Sequence, residues 1–187
     1  MSYVKHSFCN GITPKQYANG TSIARNNLLA YMMRNREAIR YILAPFGFGK
    51  SFLARDYAAM VNGFKRTFWL DANNPCFLRD LDANSLLLSI LDASTVDDLI
   101  VFDNVPCLGV LRKEKVWKTC SSLIAAEREV VVCAHPSSDP LQGHESACVC
   151  ITAQDLLYTD RDRVDLRNIG INLRQDMPAL HPVSRKK

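Results

Sequence analysis

A chain that leaves an apolar strand through a glycine-bearing turn and restarts at once as a helix has few folds open to it. Here that passage is Tyr41-Ile42-Leu43-Ala44-Pro45-Phe46-Gly47-Phe48-Gly49-Lys50-Ser51, and Phe52, Leu53, Ala54, Tyr57 and Ala58 follow at helical spacing. Glycines let the backbone bend so that successive N–H groups face one anion. Lys50 is spaced to reach the β- and γ-phosphates, and the Ser51 hydroxyl to ligate Mg²⁺. The helix behind them turns its positive dipole end toward the same place. This is the order of a phosphate-binding P-loop, so a nucleoside triphosphate is the first ligand to expect. The strict pattern asks for a glycine where Ala44 stands, and the surviving core is Gly47-x-Gly49-Lys50-Ser51. The competing reading is a glycine turn with an exposed lysine at a helix start.

The rest of the chain supplies a sheet for such a loop. Apolar runs at Arg40–Leu43, Thr67–Asp71, Leu99–Asp103, Glu129–Ala134 and Ala147–Ile151 read as strands. Leu99–Asp103 and Glu129–Ala134 are apolar without alternation, as strands buried on both faces are. Helical spacing is read from Thr21 or Ser22 to about Arg36, from the loop to the Asn62-Gly63 stop, from Asn74 through Leu91, and from Val110 to Ala126. A short helix opens at Thr152–Asp155. Strands alternating with helices imply parallel pairing through crossovers. The fold class expected is therefore α/β: a three-layer P-loop NTPase fold with a central, mostly parallel five-stranded sheet. Residues 1–20 read as an irregular lead-in, 21–157 as the nucleotide-binding domain and 158–187 as a tail.

At 187 residues the chain is long enough for one domain with a full core and marginal for two, and 48% apolar with 22% charged residues is ordinary for a soluble globular protein. No apolar run is long enough to span a membrane. Met1–Cys9 lacks the apolar core of a signal peptide, so a cytoplasmic address is expected. Seven cysteines, an odd number at scattered spacings, read as reduced thiols in a core, not as a disulfide framework or a zinc site. Alternation places Cys148 and Cys150 on one strand face. From Tyr158 onward, seven basic residues outnumber four acidic ones and hold most of the net charge of +4. A basic tail can meet nucleic acid. The tail has no aromatic residue after Tyr158 to stack on a base, and it reads as a solvated, partly disordered end.

A P-loop needs an acidic partner. Mg²⁺ takes oxygen ligands, and in P-loop NTPases an Asp at the end of a neighbouring apolar strand helps to hold it. Asp103 stands at the end of such a strand, and its alternative is to cap a turn with Asn104. The intervening strand at Thr67–Asp71 suits a sheet in which the loop strand and the metal strand lie side by side though apart in sequence. Asn104 follows the metal Asp, where an acidic base for water commonly stands; an amide orients water but takes no proton from it. Asp71 is a spare carboxylate for metal or water, or a cap for the turn at Asn73–Phe77. His135, at the end of the next strand, is placed either to touch the γ-phosphate or to make a turn before Pro136.

These segments resemble the STAND-type ATPase domain of the maltose-activator-type and LuxR-type large bacterial transcription regulators. Ile23-Ala24-Arg25-Asn26-Asn27-Leu28-Leu29 is similar to that family's Arg-x-x-Leu-Leu helix, and Ala44–Ser51 to its Pro-x-Gly-aromatic-Gly-Lys-Ser/Thr loop, which tolerates a small non-glycine residue at position 44. Trp69-Leu70-Asp71, then Asn74-Pro75 and Phe77, resemble its second strand and the Asp-Pro-x-x-Phe that follows. Leu99–Asp103 and Val130–Ala134 match its metal and sensor strands. The likeness spans about residues 21–157. The family has a second acid where Asn104 stands and Ser/Thr-Arg where Ala134-His135 stand, so binding is implied more strongly than hydrolysis.

The expected ligands are ATP and Mg²⁺. Ala44, Gly47, Phe48, Gly49, Lys50, Ser51 and Phe52 line the nucleotide, with Arg25 at its edge. Ser51 and Asp103 take the metal, and Asp103, Asn104 and His135 are the candidate catalytic residues. The resemblance implies a nucleotide-dependent switch in signalling or transcription control, with a regulatory protein or a second copy as partner. No helix-turn-helix is recognisable, so direct DNA reading is not expected. Two other readings stand beside it. One is a small-molecule kinase or active NTPase with Arg161, Arg163 and Arg167 as a lid; the other is a non-catalytic interaction module with a vestigial site.

Overall fold

The computed structural model describes residues 26–34, 38–60, 66–96 and 98–157. Arg25, the lead-in, the Asn62-Gly63 helix stop and the basic tail with its arginines lie outside the described residues. Five strands, β1 (Ile39–Leu43), β2 (Thr67–Asp71), β3 (Leu99–Val105), β4 (Glu129–Ala134) and β5 (Cys148–Thr152), form one sheet. Their order is β2-β3-β4-β1-β5, and each neighbouring pair is parallel. Among the described residues six α-helices connect or flank them: α1 (Asn26–Met33), α2 (Lys50–Met60), α3 (Pro75–Asp82), α4 (Leu86–Ala93), α5 (Val110–Ala125) and α6 (Ala153–Leu156).

Strand alternation sorts the core into two faces. On one, Leu29 and Met32 of α1, Leu53, Ala54 and Tyr57 of α2, and Leu156 of α6 pack on Ile42, Val101, Val131, Cys133 and Ile151. On the other, Phe77 of α3, Ile90 of α4 and Val116, Cys120 and Leu123 of α5 pack on Tyr41, Ile100, Phe102, Val130 and Val132. The result is a three-layer α/β/α arrangement, which explains why β3 and β4 are apolar on both sides. Among the described residues no helix is long and apolar enough to cross a membrane.

Three features depart from the sequence reading. The loop strand β1 and the Asp103 strand β3 are not side by side, because β4 pairs with both; apolar pattern names strands but not their order. The segment from Asn74 to Leu91 is two helices: Asn84 takes φ +56° between them and ends the first, as Asn tolerates that region better than most residues. β3 runs on past Asp103 to Val105, and its register to β4 shifts by one residue between Phe102 and Val105. Phe102 faces Val132, whereas Val105 faces Ala134. The extra residue makes a bulge at Asp103-Asn104, with Asn104 at φ +56°. Bulges beside functional sites re-aim side chains.

The six cysteines among the described residues are free thiols. Cys120 and Cys133 are buried as expected, Cys107 is exposed, and Cys148 and Cys150 are half-buried on one face of β5.

Buried charge gathers at the end of the sheet where the strands begin. Arg40 of β1 is fully buried and donates to the carbonyls of Met32 and Ala38 at 3.2 and 2.9 Å. Its guanidinium lies 3.7 Å from Glu129 and over the Tyr57 ring, and the Tyr57 hydroxyl donates to Glu129 at 2.8 Å. Burial pushes the Tyr57 hydroxyl well above its ordinary pKa. Nearby, Asp98 accepts from Arg66 Nε at 3.3 Å, Arg66 Nη2 at 2.8 Å, and the Thr95 amide and hydroxyl.

Candidate functional site

The other end of the sheet is built from turns. β1 ends at Leu43, and Ala44 keeps one more sheet contact, its N–H donating to the Ala134 carbonyl at 3.2 Å. Among the described residues the non-glycine positions with positive φ are Asn84, Asn104 and Glu127, so Ala44 needs no glycine backbone. Its methyl is buried in the α2-side core. Gly47 and Gly49 do need it, at φ +82° and +78°. At Gly49 the chain turns into α2, whose first hydrogen bond runs from Leu53 N to Gly49 O at 2.9 Å.

Lys50, nearly buried, folds back over this turn. Its Nζ donates to the carbonyls of Ala44 at 2.9 Å and Pro45 at 3.0 Å. Burial lowers the ammonium's pKa below its usual value, while the Asp103 carboxylate works against that shift. The cation is therefore held by neutral carbonyls, which an incoming anion can outbid.

Ser51 Oγ donates to Asp103 Oδ1 at 3.0 Å. The structure thus joins the two residues expected to take the metal, Ser51 at the start of α2 and Asp103 on β3, although β4 lies between β3 and the loop strand β1. Both are hard oxygen donors, the chemistry Mg²⁺ prefers. A serine hydroxyl can donate its proton to the carboxylate while a lone pair faces a cation, so the pair fits that ion. Asp103 is buried to 4% exposure and takes two further bonds. The Asn104 amide N–H reaches Oδ1 at 2.9 Å, a bond the bulge creates, and the Trp69 indole N–H reaches Oδ2 at 3.2 Å.

The remaining candidates divide. Asn104 directs its side-chain amide to Asp71 Oδ1 at 3.4 Å. Asp71 pairs in register with Asp103, but its Oδ1 also accepts from Asn73 N at 3.1 Å, the turn-capping alternative. The helix cap proper is Asn74, whose side chain accepts from Cys76 N, with Pro75 in the first turn. His135 makes the turn before Pro136, one of the two readings given for it, with Ser138 N donating to its carbonyl at 2.8 Å. Its Nδ1 is engaged by Ser137, whose amide donates at 3.2 Å and whose hydroxyl lies at 2.7 Å. That amide bond assigns the proton of the neutral ring to Nε2. The same ring stacks on Phe46 of the loop, with centroids 5.1 Å apart, and Lys50 Nζ lies 5.4 Å from the Phe46 centroid. Phe48 packs against the α2-side core. Phe52 is 66% exposed, with the Arg55 guanidinium over its ring.

Trp69, Phe46 and the bulge were not read as site features from the sequence. Alternation puts Trp69 on the same face as Asp71, which is a usable signal. The register that brings Trp69 to Asp103 is set by the β2–β3 pairing and is not written in either strand alone.

No family model matches the chain, and no curated protein shows significant sequence similarity to it. Among solved structures, DnaA from Aquifex aeolicus bound to AMPPCP superposes with a TM-score of 0.51, at 14% identity, over 81% of this chain and 51% of that one. The replication initiator DnaA bound to AMPPCP and single-stranded DNA gives 0.52, at 14% identity, over 87% and 56%. PCH-2 from C. elegans is a looser match at a TM-score of 0.48, with 14% identity over 83% and 50%. The chain spans about half the length of these solved chains. At this identity the two DnaA matches speak to the fold, and with the all-parallel order β2-β3-β4-β1-β5 they define it as the P-loop NTPase fold.

Proposed function

We propose that this chain binds ATP with Mg²⁺ and acts as a nucleotide-dependent switch in signal transduction or transcription control, with slow hydrolysis. The observation that carries the binding reading is the loop itself. Gly47 and Gly49 hold positive φ, Lys50 rests on two loop carbonyls, and Ser51 contacts Asp103. AMPPCP in both DnaA structures supports an adenine nucleotide as the ligand here.

On binding, Lys50 exchanges the Ala44 and Pro45 carbonyls for phosphate oxygens. Loop N–H groups and the start of α2 orient the polyphosphate, and Phe48 and Phe52 flank it. Ser51 and Asp103 would hold Mg²⁺, which when bound would supply charge neutralisation for the polyphosphate. Slow cleavage follows from Asn104, which cannot serve as a base and whose amide is turned to Asp71. The switch role rests on the resemblance of the Arg25, Trp69–Phe77 and Val130–Ala134 segments to the STAND-type regulators. It brings a cytoplasmic address and a regulatory protein or second copy as partner.

Thermal unfolding tests the binding. ATP and MgCl₂ at a hundredfold excess over Kd stabilise wild type by about 2.7 kcal/mol, and Lys50→Ala gains nothing at the same concentration. Phosphate release tests the slow step: Asn104→Asp exceeds wild type, and rapid release by wild type would refute the slow-cleavage reading.

A further inference from the structure

We infer that Trp69 is a positioning residue for the metal carboxylate, and that its indole reports the arrival of the metal. The inference rests on the nucleotide reading above and extends it to a residue outside the P-loop and its acidic strand end.

The Asp103 carboxylate is held from both sides. Ser51 Oγ and the Asn104 amide occupy Oδ1, and the Trp69 indole N–H occupies Oδ2 at 3.2 Å. Oδ1 faces the loop helix, so Trp69 supplies the counter-hold that fixes the carboxylate's rotation about its Cβ–Cγ bond. Trp69 is itself fixed. It packs against the α2-side core, and the Arg55 guanidinium of α2 sits 5.4 Å from its ring centroid. A carboxylate set beforehand in one rotamer binds a cation without the ordering cost that a free one carries. An indole N–H has no lone pair to offer a metal, so Trp69 acts only through Asp103. Charge arriving beside the carboxylate changes the field on the indole, which its emission reads.

Mg²⁺ titrations in the presence of ATP separate the possibilities. Trp69→Phe keeps the ring and removes the N–H. Its Mg²⁺ midpoint rises about tenfold, the lower end of the worth of one hydrogen bond to a charged group, while affinity for ATP in EDTA stays at the wild-type value. In Trp117→Phe protein, which leaves Trp69 as the sole tryptophan, emission shifts when MgCl₂ is added to the ATP-loaded protein and not when ATP is added in EDTA. An unmoved midpoint in Trp69→Phe, or a Trp69 emission blind to Mg²⁺, would overturn the inference and leave nucleotide binding standing. Failure of wild type to bind ATP with or without Mg²⁺ would overturn the nucleotide reading and this inference with it. Should Trp69→Phe not fold, the emission result on Trp117→Phe protein decides alone.

Discussion

The two ends of the sheet both concentrate charge, and they use it in opposite ways. Where the strands begin, charges meet charges. Arg40 lies beside Glu129 and donates to two backbone carbonyls, and Asp98 accepts four bonds from Arg66 and Thr95. Arg40 and Asp98 are wholly buried. Where the strands end, Lys50 rests on neutral carbonyls, the glycine at 47 is exposed, and the ring of Phe46 is 75% exposed. Buried charges with charged partners cost much to break and serve to hold structure. A lysine on carbonyls at the mouth of a turn can be drawn to a stronger partner. The contrast separates scaffold from site more sharply than the mere presence of charged residues does.

The contrast can be broken at either end. The largest effect is expected at Arg40. Arg40→Met strips Glu129 of its cationic neighbour and should cost about 3–5 kcal/mol, lowering Tm by on the order of 10 °C. Calorimetry checks it, and ATP affinity of the folded fraction should be unchanged. Lys50→Ala should do the reverse. It should weaken ATP binding roughly a hundredfold, the worth of two charge-assisted contacts, and move stability by no more than about 1 kcal/mol.

Asp98 offers a smaller and pH-resolved test. Burial raises its pKa, but the Arg66 hydrogen bonds and those of Thr95 outweigh it and hold the carboxyl below its ordinary value of 3.8. Its contribution is therefore full above that value and lost as pH falls through the lower folded one. Asp98→Asn should cost about 1–3 kcal/mol at neutral pH and show a flatter acid limb in pH-dependent unfolding. The smallest effect belongs to Gly47→Ala. No atom lies within 4 Å of the added methyl, so only the backbone at φ +82° resists it, at about 1 kcal/mol. ATP affinity should fall a few-fold at most.

What the sequence made legible follows the same division. Gly47, Gly49, Lys50 and Ser51 could be read because the loop is contiguous and each residue type answers a local need. Asp103 could be read because it ends an apolar run, and its carboxylate accepts a hydrogen bond from Ser51. Strand order could not be read, because nothing in Glu129–Ala134 says that it pairs with both β1 and β3. The bulge at Asn104 was also hidden, since a single Asn reads as well for a turn as for a left-handed strand residue. The Arg40–Glu129–Tyr57 network joins residues 89 positions apart at its widest (Arg40 to Glu129). Arg40 itself sits in a strand whose pattern would place a hydrophobe there. The long helix read across 74–91 failed at Asn84, where apolar spacing continued through a residue the backbone uses to turn.

The central claim is that Lys50 and the glycine turn form a nucleotide grip. Calorimetric titration of ATP, with and without MgCl₂, into wild type and Lys50→Ala tests it most directly. The account predicts saturable heat in wild type, tighter binding with Mg²⁺, and loss of both in Lys50→Ala while its Tm is retained. No heat in wild type, or equal binding by Lys50→Ala, would contradict it.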